Sequence, residues 1–335
     1  MMTTSLGRIT IHNTNKFSQG NNGIQISALL QELVVYAGQL ECYERCHEVL
    51  DKFLSVRVSA TQVYRLTDLY GQQLAKEHDF TQPSLTEMRE QEILYVEADA
   101  SMVLTRKQGY KEVKVGRLFK SSDCLHAPGK PGLITRSQYL AHLGGHKVFS
   151  GQLQELSDAY CARQDQMVFI TDGAPWLKNW IEDAFPQATS ILDYYHCCQH
   201  VHDFTREFFS DEGQGYQWAE EQKELLLGSQ ARVVMNNIEE LEGRKKKSKQ
   251  KLLNYLNANM DRMDYKRYRT IGCGIIGSGA IESAHRTVVQ RRMKLSGQRW
   301  SRKGAQHMLN LRVIYMNGQW QKIIQMAKTS LANSA

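Results

Sequence analysis

The pattern of hydrophobic and polar positions divides the chain into a helical start, a mixed middle and a helical end. Over residues 26–73, apolar side chains recur every three or four positions, which predicts three amphipathic helices. Ser59 is a suitable N-cap for the third helix. Three short helices are typical of a helix-turn-helix whose third helix binds DNA. A packing or dimerisation module suits the pattern equally well, because Arg65 is the one strongly basic residue of the third helix.

The middle of the chain begins with two segments that predict a β-hairpin. Residues 93–105 are apolar and β-branched, residues 110–120 alternate between apolar and charged side chains, and RKQG between them suits a turn. A loop rich in proline and glycine follows at 121–132, and residues 133–150 suit either a third strand or a short helix. Predicted helices and strands then alternate as GQLQELSDAYCARQ, MVFIT, PWLKNWIEDAF, TSILD and YYHCCQHVHDFTREFF.

A hairpin followed by alternating strands and helices predicts an α/β domain with a mixed sheet. This order is the ribonuclease H-like layout, in which antiparallel strands come first and parallel βαβ units follow. We therefore divide the chain into a helical N-terminal region at 1–85, the first part of the sheet domain at 86–209, a polar helical stretch at 210–270, and the second part with basic helices at 271–335. The polar stretch 77–92 predicts a linker between the helical N-terminal region and the sheet domain.

The distribution of charge along the chain is more informative than its net value. The net charge is +7, and residues 283–335 contain ten lysines and arginines but no aspartate or glutamate. A surface that binds phosphates excludes acids, since a nearby carboxylate cancels each attraction. A second basic run lies at 244–251, where an ordinary solvated helix face is the alternative. Double-stranded DNA is the partner that this pattern favours.

Cysteine usage and hydropathy point to the cytoplasm. The chain has seven cysteines and no C-x-x-C pair, a pattern typical of reduced thiols. No apolar run approaches the roughly 20 residues of a membrane helix, and the N-terminus lacks a signal-peptide core. We expect a bacterial cytoplasmic protein without a membrane partner, associated with the nucleoid when it binds DNA.

Three acidic residues occupy positions at which an α/β sheet would use them. Asp99 lies inside a predicted strand, where aspartate is disfavoured unless something requires it. Asp172 ends MVFIT, at the strand edge where such sheets place their sites, although Asp172-Gly173 is also a common turn dipeptide. Glu282 opens a late helix and is the only acid after Asp264, and its alternative role is an ion pair with an arginine.

Three carboxylates suit a hard cation such as Mg²⁺ or Mn²⁺. Two such ions about 4 Å apart activate an attacking hydroxyl and stabilise the leaving oxygen of a phosphodiester. The spacing of Asp99, Asp172 and Glu282 along the sequence is wide, so only the fold can gather them.

The segments YVEADASMV, FITDGAPWLKNW and GSGAIESAHRTVVQRRMKLSGQRWS resemble bacterial insertion-sequence DDE transposases, within them the ISKra-type group related to Mutator-like elements. The resemblance covers roughly residues 25–320. It implies that Asp99, Asp172 and Glu282 hold the catalytic metals, and that 210–270 is the helical insertion before the third acid. Two departures are Ala100, where relatives have glycine, and an N-terminus without zinc-ribbon cysteines.

The resemblance also extends to Asp193 and His196, which match the D-x-x-H signature of that family. His196 and His200 have the spacing of a zinc pair on a helix, but the H-E-x-x-H metallopeptidases require glutamate where this chain has Cys197. We interpret His196 as a catalytic-site residue that orients the phosphate or supports the metal site. A histidine buried in the core is the alternative.

Trp218 is the only tryptophan of the helical stretch 210–270. The resemblance implies that it is an exposed aromatic residue that stacks on a displaced base near the cleavage point. The helical periodicity favours the alternative, core packing of Trp218 beside Leu225 and Leu226.

These patterns and the resemblance together predict a DNA transposase that works as a homo-oligomer on element ends and target DNA. Water and then a DNA 3′-hydroxyl would be the nucleophiles. A transposase-derived DNA-binding protein without catalysis is the alternative, and a simple ribonuclease H-like nuclease is a third possibility. The residues expected to contact DNA phosphates are Arg286, Arg291, Arg292, Lys294, Arg299, Lys245, Lys246 and Lys247.

Overall fold

The computed structural model describes residues 2–4, 7–9, 26–77, 88–125, 132–243 and 245–332. The predicted linker at 77–92 and the loop at 121–132 lie partly outside the described residues, and Arg244 of the basic run lies outside them. Within the described residues, no helix is both long and apolar enough to cross a membrane.

A five-stranded mixed sheet forms the centre of the molecule. Its strands, in sequence order, are β3 (Leu94–Thr105), β4 (Gly109–Lys120), β7 (Gln138–Leu143), β8 (Met167–Thr171) and β9 (Thr189–Leu192). In space the order is β7-β4-β3-β8-β9. The pairs β7–β4 and β4–β3 are antiparallel, whereas β3–β8 and β8–β9 are parallel. The predicted mixed α/β architecture is therefore confirmed.

Two further pairs of short strands lie outside this sheet. They are β1 (Met2–Thr4) with β2 (Gly7–Ile9), and β5 (Cys124–Leu125) with β6 (Leu133–Ile134). The predicted hairpin is confirmed as β3 and β4. The ambiguous segment 133–150 contains both alternatives, because β7 is followed directly by the start of a helix at His146.

Helices account for most of the remaining chain. They are α1 (Ala28–Leu40), α2 (Tyr43–Leu54), α3 (Ala60–Glu77), α4 (His146–Tyr160), α5 (Pro175–Ala184), α6 (Tyr194–Phe208), α7 (Glu212–Leu227), α8 (Ala231–Glu240), α9 (Lys246–Ala258), α10 (Tyr265–Tyr268), α11 (Gly279–Ala284), α12 (Arg291–Met293), α13 (Arg302–Met316) and α14 (Gln321–Ala332). A π-helical segment, His285–Gln290, joins α11 to α12. Short 3₁₀ turns occur at Ser121–Asp123, Gln164–Gln166 and Met260–Arg262.

The two faces of the sheet are covered by different helices. On one face, Val168 and Ile170 belong to a hydrophobic cluster that includes α6 and the helices of the 210–270 stretch. On the other face, Val96 and Phe169 pack with α4 and α5. Alternate residues of each strand face opposite sides, so one strand contributes to both clusters. The helical stretch therefore packs directly on the sheet.

The first three helices share a hydrophobic cluster with the last two. Val34 of α1 and Leu66 of α3 pack with Leu311 of α13 and Ile323 of α14. At Gly71, α3 approaches α13 so closely that a Cβ would overlap the backbone of His307. One side of α3 is thus covered by α13, as a packing module requires, while Arg65 remains exposed.

Candidate functional site

Asp99 lies within β3, and Asp172 directly follows the neighbouring parallel strand β8. The pairing of β3 with β8 runs from Leu94 opposite Met167 to Glu97 opposite Ile170. The same register, continued by two residues beyond its last pair, aligns Asp99 with Asp172. Adjacent strands lie about 4.8 Å apart, so both residues belong to the carboxyl edge of the parallel strands. Asp99 and Asp172 are both half-buried there.

Asp99 lies among hydrogen-bond donors and positive charge. Its Oδ1 accepts a 2.6 Å hydrogen bond from the backbone N–H of Ala100, and its Oδ2 lies 3.3 Å from Nε2 of His285. Burial acts to raise the pKa of Asp99, but His285, the Ala100 N–H and the charge of His196 outweigh it and lower that pKa. The Asp99 carboxylate is thereby kept ionised.

Asp172 is held by a tight turn after β8. Its Oδ1 accepts a 3.0 Å hydrogen bond from the backbone N–H of Ala174, and Gly173 between them has φ +89. The turn interpretation of Asp172-Gly173 is confirmed, and the turn is also what fixes the carboxylate at the strand end. Its second oxygen, Oδ2, accepts no hydrogen bond from the described residues, so it is available to a ligand.

Asp193 directly follows β9, the strand beside β8, and its contacts stabilise the fold. It is buried and caps α6, accepting from the backbone N–H groups of Tyr195 at 2.8 Å and His196 at 3.2 Å. Its other oxygen accepts from the hydroxyl of Ser278, immediately before α11. With both oxygens engaged, Asp193 positions α6 and the start of α11.

Glu97 was not predicted as a functional residue, although it is an acid within an apolar strand, two residues before Asp99 on the same face of β3. Glu97 is fully buried and lies opposite Arg117 in the β3–β4 pairing. Its Oε2 accepts a 2.6 Å hydrogen bond from the backbone N–H of Ile281. Burial raises the pKa of Glu97 to about 8, against the opposing effects of Arg117 and the Ile281 N–H.

Glu282 lies on a helix that is tied to the sheet at its start. Besides the bonds from Ile281 to Glu97 and from Ser278 to Asp193, Arg117 donates a 2.7 Å hydrogen bond to the carbonyl of Ala280. The Glu282 side chain is exposed on this short helix. No group of three or more His, Cys, Asp or Glu side chains within the described residues is arranged to hold a metal ion. The expected gathering of all three carboxylates is therefore not seen in this conformation.

His196 lies half-buried on the first turn of α6, close enough to Asp99 for its charge to act on that carboxylate. Its ring packs perpendicular to the ring of His200, with 4.9 Å between centroids. His200 in turn packs on Tyr255 at 4.1 Å, and burial followed by the charge of His196 lowers the pKa of His200. His196 thus lies near the acidic edge and not inside the hydrophobic core.

The predicted phosphate contacts after Glu282 divide into exposed and buried residues. Exposed side chains are those of Arg286, Arg291, Lys294 and Arg299. Arg292 was predicted wrongly, because it is only 1% exposed. Its Nε donates a 2.9 Å hydrogen bond to the carbonyl of Gly38, and its guanidinium lies between the rings of Tyr43 and Trp300 at 4.8 and 5.1 Å. Arg292 stabilises the carboxyl end of α1 and cannot reach a phosphate.

The second basic group lies at the start of α9. Lys245, Lys246 and Lys247 are exposed, and Lys245 also donates to the backbone carbonyl of Glu207. The first turn of α9 contains no acid. Positive charge at a helix N-terminus opposes the helix dipole, so helix stability does not explain these lysines.

Trp218 is half-buried and packs against two phenylalanines. Its ring lies 5.8 Å from the ring of Phe204 and 5.9 Å from that of Phe209. Leu225 and Leu226 belong to the same hydrophobic cluster. These contacts match the core-packing alternative, while the exposed part of the indole leaves room for a ligand contact.

Comparison with known proteins gives a family for the chain. Residues 19–330 match the uncharacterised protein family UPF0236. A comparison with curated proteins found no match. Because the family match spans nearly the whole sequence, the chain belongs to the uncharacterised protein family UPF0236.

Proposed function

We propose that this protein is a DDE-class DNA transposase, which cleaves phosphodiester bonds at the ends of a mobile element and joins those ends to target DNA. The observation that supports the proposal is the register of β3 with β8, which, continued by two residues, aligns Asp99 with Asp172 at the carboxyl edge of the parallel strands. The resemblance to ISKra-type transposases, related to Mutator-like elements, assigns the same residues to catalysis.

A ribonuclease H-like fold is part of this proposal. The order β7-β4-β3-β8-β9, with β4 antiparallel to both neighbours, supports it. The first acid lies on the central strand and the second at the end of the adjacent parallel strand. Glu282, on a helix after the 210–270 stretch, occupies the position of the third acid.

The residues at the acidic edge fit a divalent cation such as Mg²⁺ or Mn²⁺. Asp99 and Asp172 each use one oxygen to accept a backbone N–H and retain lone pairs for a ligand. Carboxylate oxygens are the donors that these ions prefer. Two bound ions would supply activation of the attacking hydroxyl and stabilisation of the leaving oxygen. Glu282 would complete the donor set by reorientation of its exposed side chain when DNA binds.

The exposed cations next to Glu282 position the DNA. Arg286, Arg291 and Lys294 follow Glu282 on the same helical segment. Contacts of such residues to phosphates fix the register of a duplex without reading its sequence. His196, near Asp99, orients the phosphate that is cleaved.

The test is cleavage of an end-labelled duplex that carries the element end, in the presence of Mg²⁺. Wild-type protein cleaves, whereas Asp99→Asn, Asp172→Asn and Glu282→Gln lose at least about 100-fold in rate, since each removes a group that stabilises transition-state charge. Asp165→Asn is the matched control, because Asp165 is an exposed acid paired with Arg163 away from the edge. Undiminished cleavage by the Asp99 and Asp172 variants would refute the proposal.

A transposase-derived DNA-binding protein without catalysis is the second candidate. The observation that favours it is that no three His, Cys, Asp or Glu side chains of the described residues are arranged to hold a metal ion. The same assay separates the two candidates: this alternative predicts DNA binding by wild-type protein with no cleavage under any divalent cation.

A further inference from the structure

His285 is a buried histidine aimed at one oxygen of Asp99. It is 4% exposed, and its Nε2 lies 3.3 Å from Oδ2 of Asp99. Within the described residues, neither ring nitrogen makes a well-aligned hydrogen bond, and the contact with Asp99 is the ion-pair contact of the ring. A buried polar ring without a satisfied partner is disfavoured unless the site uses it. Contacts of this kind are often loose before a ligand binds and tighten afterwards.

The backbone around His285 is built to place the ring. His285 begins the π-helical segment His285–Gln290, and such segments occur often at functional sites. The wider turn is stabilised by Arg312, which donates to the backbone carbonyls of Thr287 and Val288. Arg312 is itself buried and held by a 2.6 Å hydrogen bond to Oε1 of Gln39. The segment that His285 begins is therefore held by Arg312 of α13, which is in turn held by Gln39 of α1.

The groups that face Asp99 come from three elements. The Ala100 N–H of β3 donates to Oδ1, and Nε2 of His285 lies 3.3 Å from Oδ2. The charges of His196 on α6 and Lys294 after α12 act from further away. Of these, His285 alone approaches Oδ2 closely. Without it, the carboxylate would be held through Oδ1 only.

We propose that His285 is the positioning residue of Asp99. By donating from Nε2 to Oδ2, the imidazole fixes the rotation of the carboxylate, so that the remaining lone pairs point toward Asp172 and a divalent cation. This inference rests on the proposed function, because it assigns Asp99 to a metal site. Groups that hydrogen-bond to ligating carboxylates typically contribute 10–100-fold to metal affinity.

The chain contains a matched control for this contact. His307 Nδ1 lies 2.7 Å from Oδ1 of Asp68, with side-chain exposures of 12% and 33%, against 5% and 34% for His285 and Asp99. His307 and Asp68 lie on α13 and α3, away from the acidic edge. A variant of His307 therefore removes a histidine–aspartate contact of the same kind without touching the site.

The experiment measures Mn²⁺ binding by electron paramagnetic resonance, with strand cleavage as a second measurement. The variants are His285→Leu, which is apolar, His285→Asn, whose amide is too short to reach Oδ2, and His285→Gln, whose amide nitrogen replaces Nε2. We expect Mn²⁺ affinity to fall about 10-fold or more in the Leu and Asn variants. The Gln variant and His307→Leu should bind within about 3-fold of wild type, and circular dichroism verifies that each variant is folded.

The outcomes separate this inference from the proposed function. Wild-type protein that binds no Mn²⁺, or binds it equally well as Asp99→Asn, would overturn the proposed metal site and this inference with it. A second outcome would overturn the inference alone. In it, Asp99→Asn abolishes Mn²⁺ binding, but a folded His285→Leu or His285→Asn variant binds Mn²⁺ as well as wild type. An equal loss in His307→Leu would also overturn it, because the effect would not be specific to Asp99.

Discussion

The buried carboxylate of Glu97 accepts a 2.6 Å hydrogen bond from the backbone N–H of Ile281, the residue immediately before Glu282. A strand of the central sheet and the helix with the third acid are thus joined by one contact. Because Glu97 is fully buried, the strength of this contact depends on its protonation state.

The first prediction concerns pH and Glu97. Its pKa is about 8 in the folded protein and about 4.3 in an unfolded chain, so the folded state binds more protons between these values. Stability contributed by Glu97 is therefore present at low pH and lost as the pH rises through about 8. Relative to wild type, Glu97→Gln should gain at least about 1.4 kcal/mol of unfolding free energy between pH 5 and pH 8, the value of one pKa unit.

Urea unfolding at several pH values tests this expectation. Glu155→Gln is the control, because Glu155 is an exposed glutamate on α4 and the change of charge is the same. A constant difference between Glu97→Gln and wild type over this pH range would show that Glu97 is ionised in the folded protein.

The second prediction uses the neighbours Arg291 and Arg292, which differ in exposure. Arg291→Ala should weaken binding to all DNA sequences alike and reduce the slope of log affinity against log salt by about 0.9, with unchanged stability. Arg292→Ala should destabilise the protein by about 2–4 kcal/mol, because the carbonyl of Gly38 loses a buried charged donor. Salt-dependent fluorescence anisotropy and thermal unfolding measure the two effects. Loss of affinity for the element ends alone in Arg291→Ala would assign that residue to base recognition.

The third prediction concerns the turn that holds Asp172. Gly173→Ala should destabilise the protein by about 1–3 kcal/mol, because φ +89 is strained for alanine and the new Cβ would lie 3.0 Å from Leu192. Gly151→Ala is the control, and its expected change in stability has the opposite sign. Gly151 lies within α4 with open space around it, so alanine should stabilise the helix by about 0.5–1 kcal/mol.

Cleavage assays extend this comparison to the site. Gly173→Ala should also reduce cleavage, since the shifted turn moves the Asp172 carboxylate. Full cleavage by a destabilised Gly173→Ala protein would mean that the position of Asp172 is not critical.

The fourth prediction separates the two roles considered for Trp218. If Trp218 is mainly a packing residue, Trp218→Ala should destabilise the protein by about 2–4 kcal/mol through lost contact with Phe204 and Phe209. Tyr216→Ala, at a neighbouring exposed position, should change stability by less than about 0.5 kcal/mol. Unchanged stability of Trp218→Ala together with impaired strand processing would instead support stacking on a base.

Local periodicity was sufficient for much of the fold. The hairpin β3–β4 and the strands around Asp172 were predicted correctly, because alternation and β-branched runs depend on nearby residues. The position of Asp99 was also recognised, since an acid within an apolar strand is unusual. Residues whose role depends on distant partners were not recognised. Glu97 and Arg292 are examples, because their contacts with Ile281 and Gly38 come from far along the chain.

The placement of Glu282 shows the same limit more sharply. Its helix is positioned by Glu97, Arg117 and Asp193, and the π-helical segment after it depends on Arg312. A π-helical segment has no sequence signature of its own. Here it is stabilised because the guanidinium of a residue remote in sequence, Arg312, donates to its backbone carbonyls. The acids could therefore be named from the sequence, whereas the scaffold that orients them required the structure.

Arg312 also has a consequence for the order in which the molecule assembles during synthesis. It bonds to Gln39, which was translated 273 residues earlier, and to the segment that follows Glu282. The early helices therefore cannot complete their contacts until α13 has emerged from the ribosome. The strands with Asp99 and Asp172 can pair well before that moment. A nascent chain thus holds an unfinished acidic edge until α13 emerges and Arg312 fixes the segment that follows Glu282.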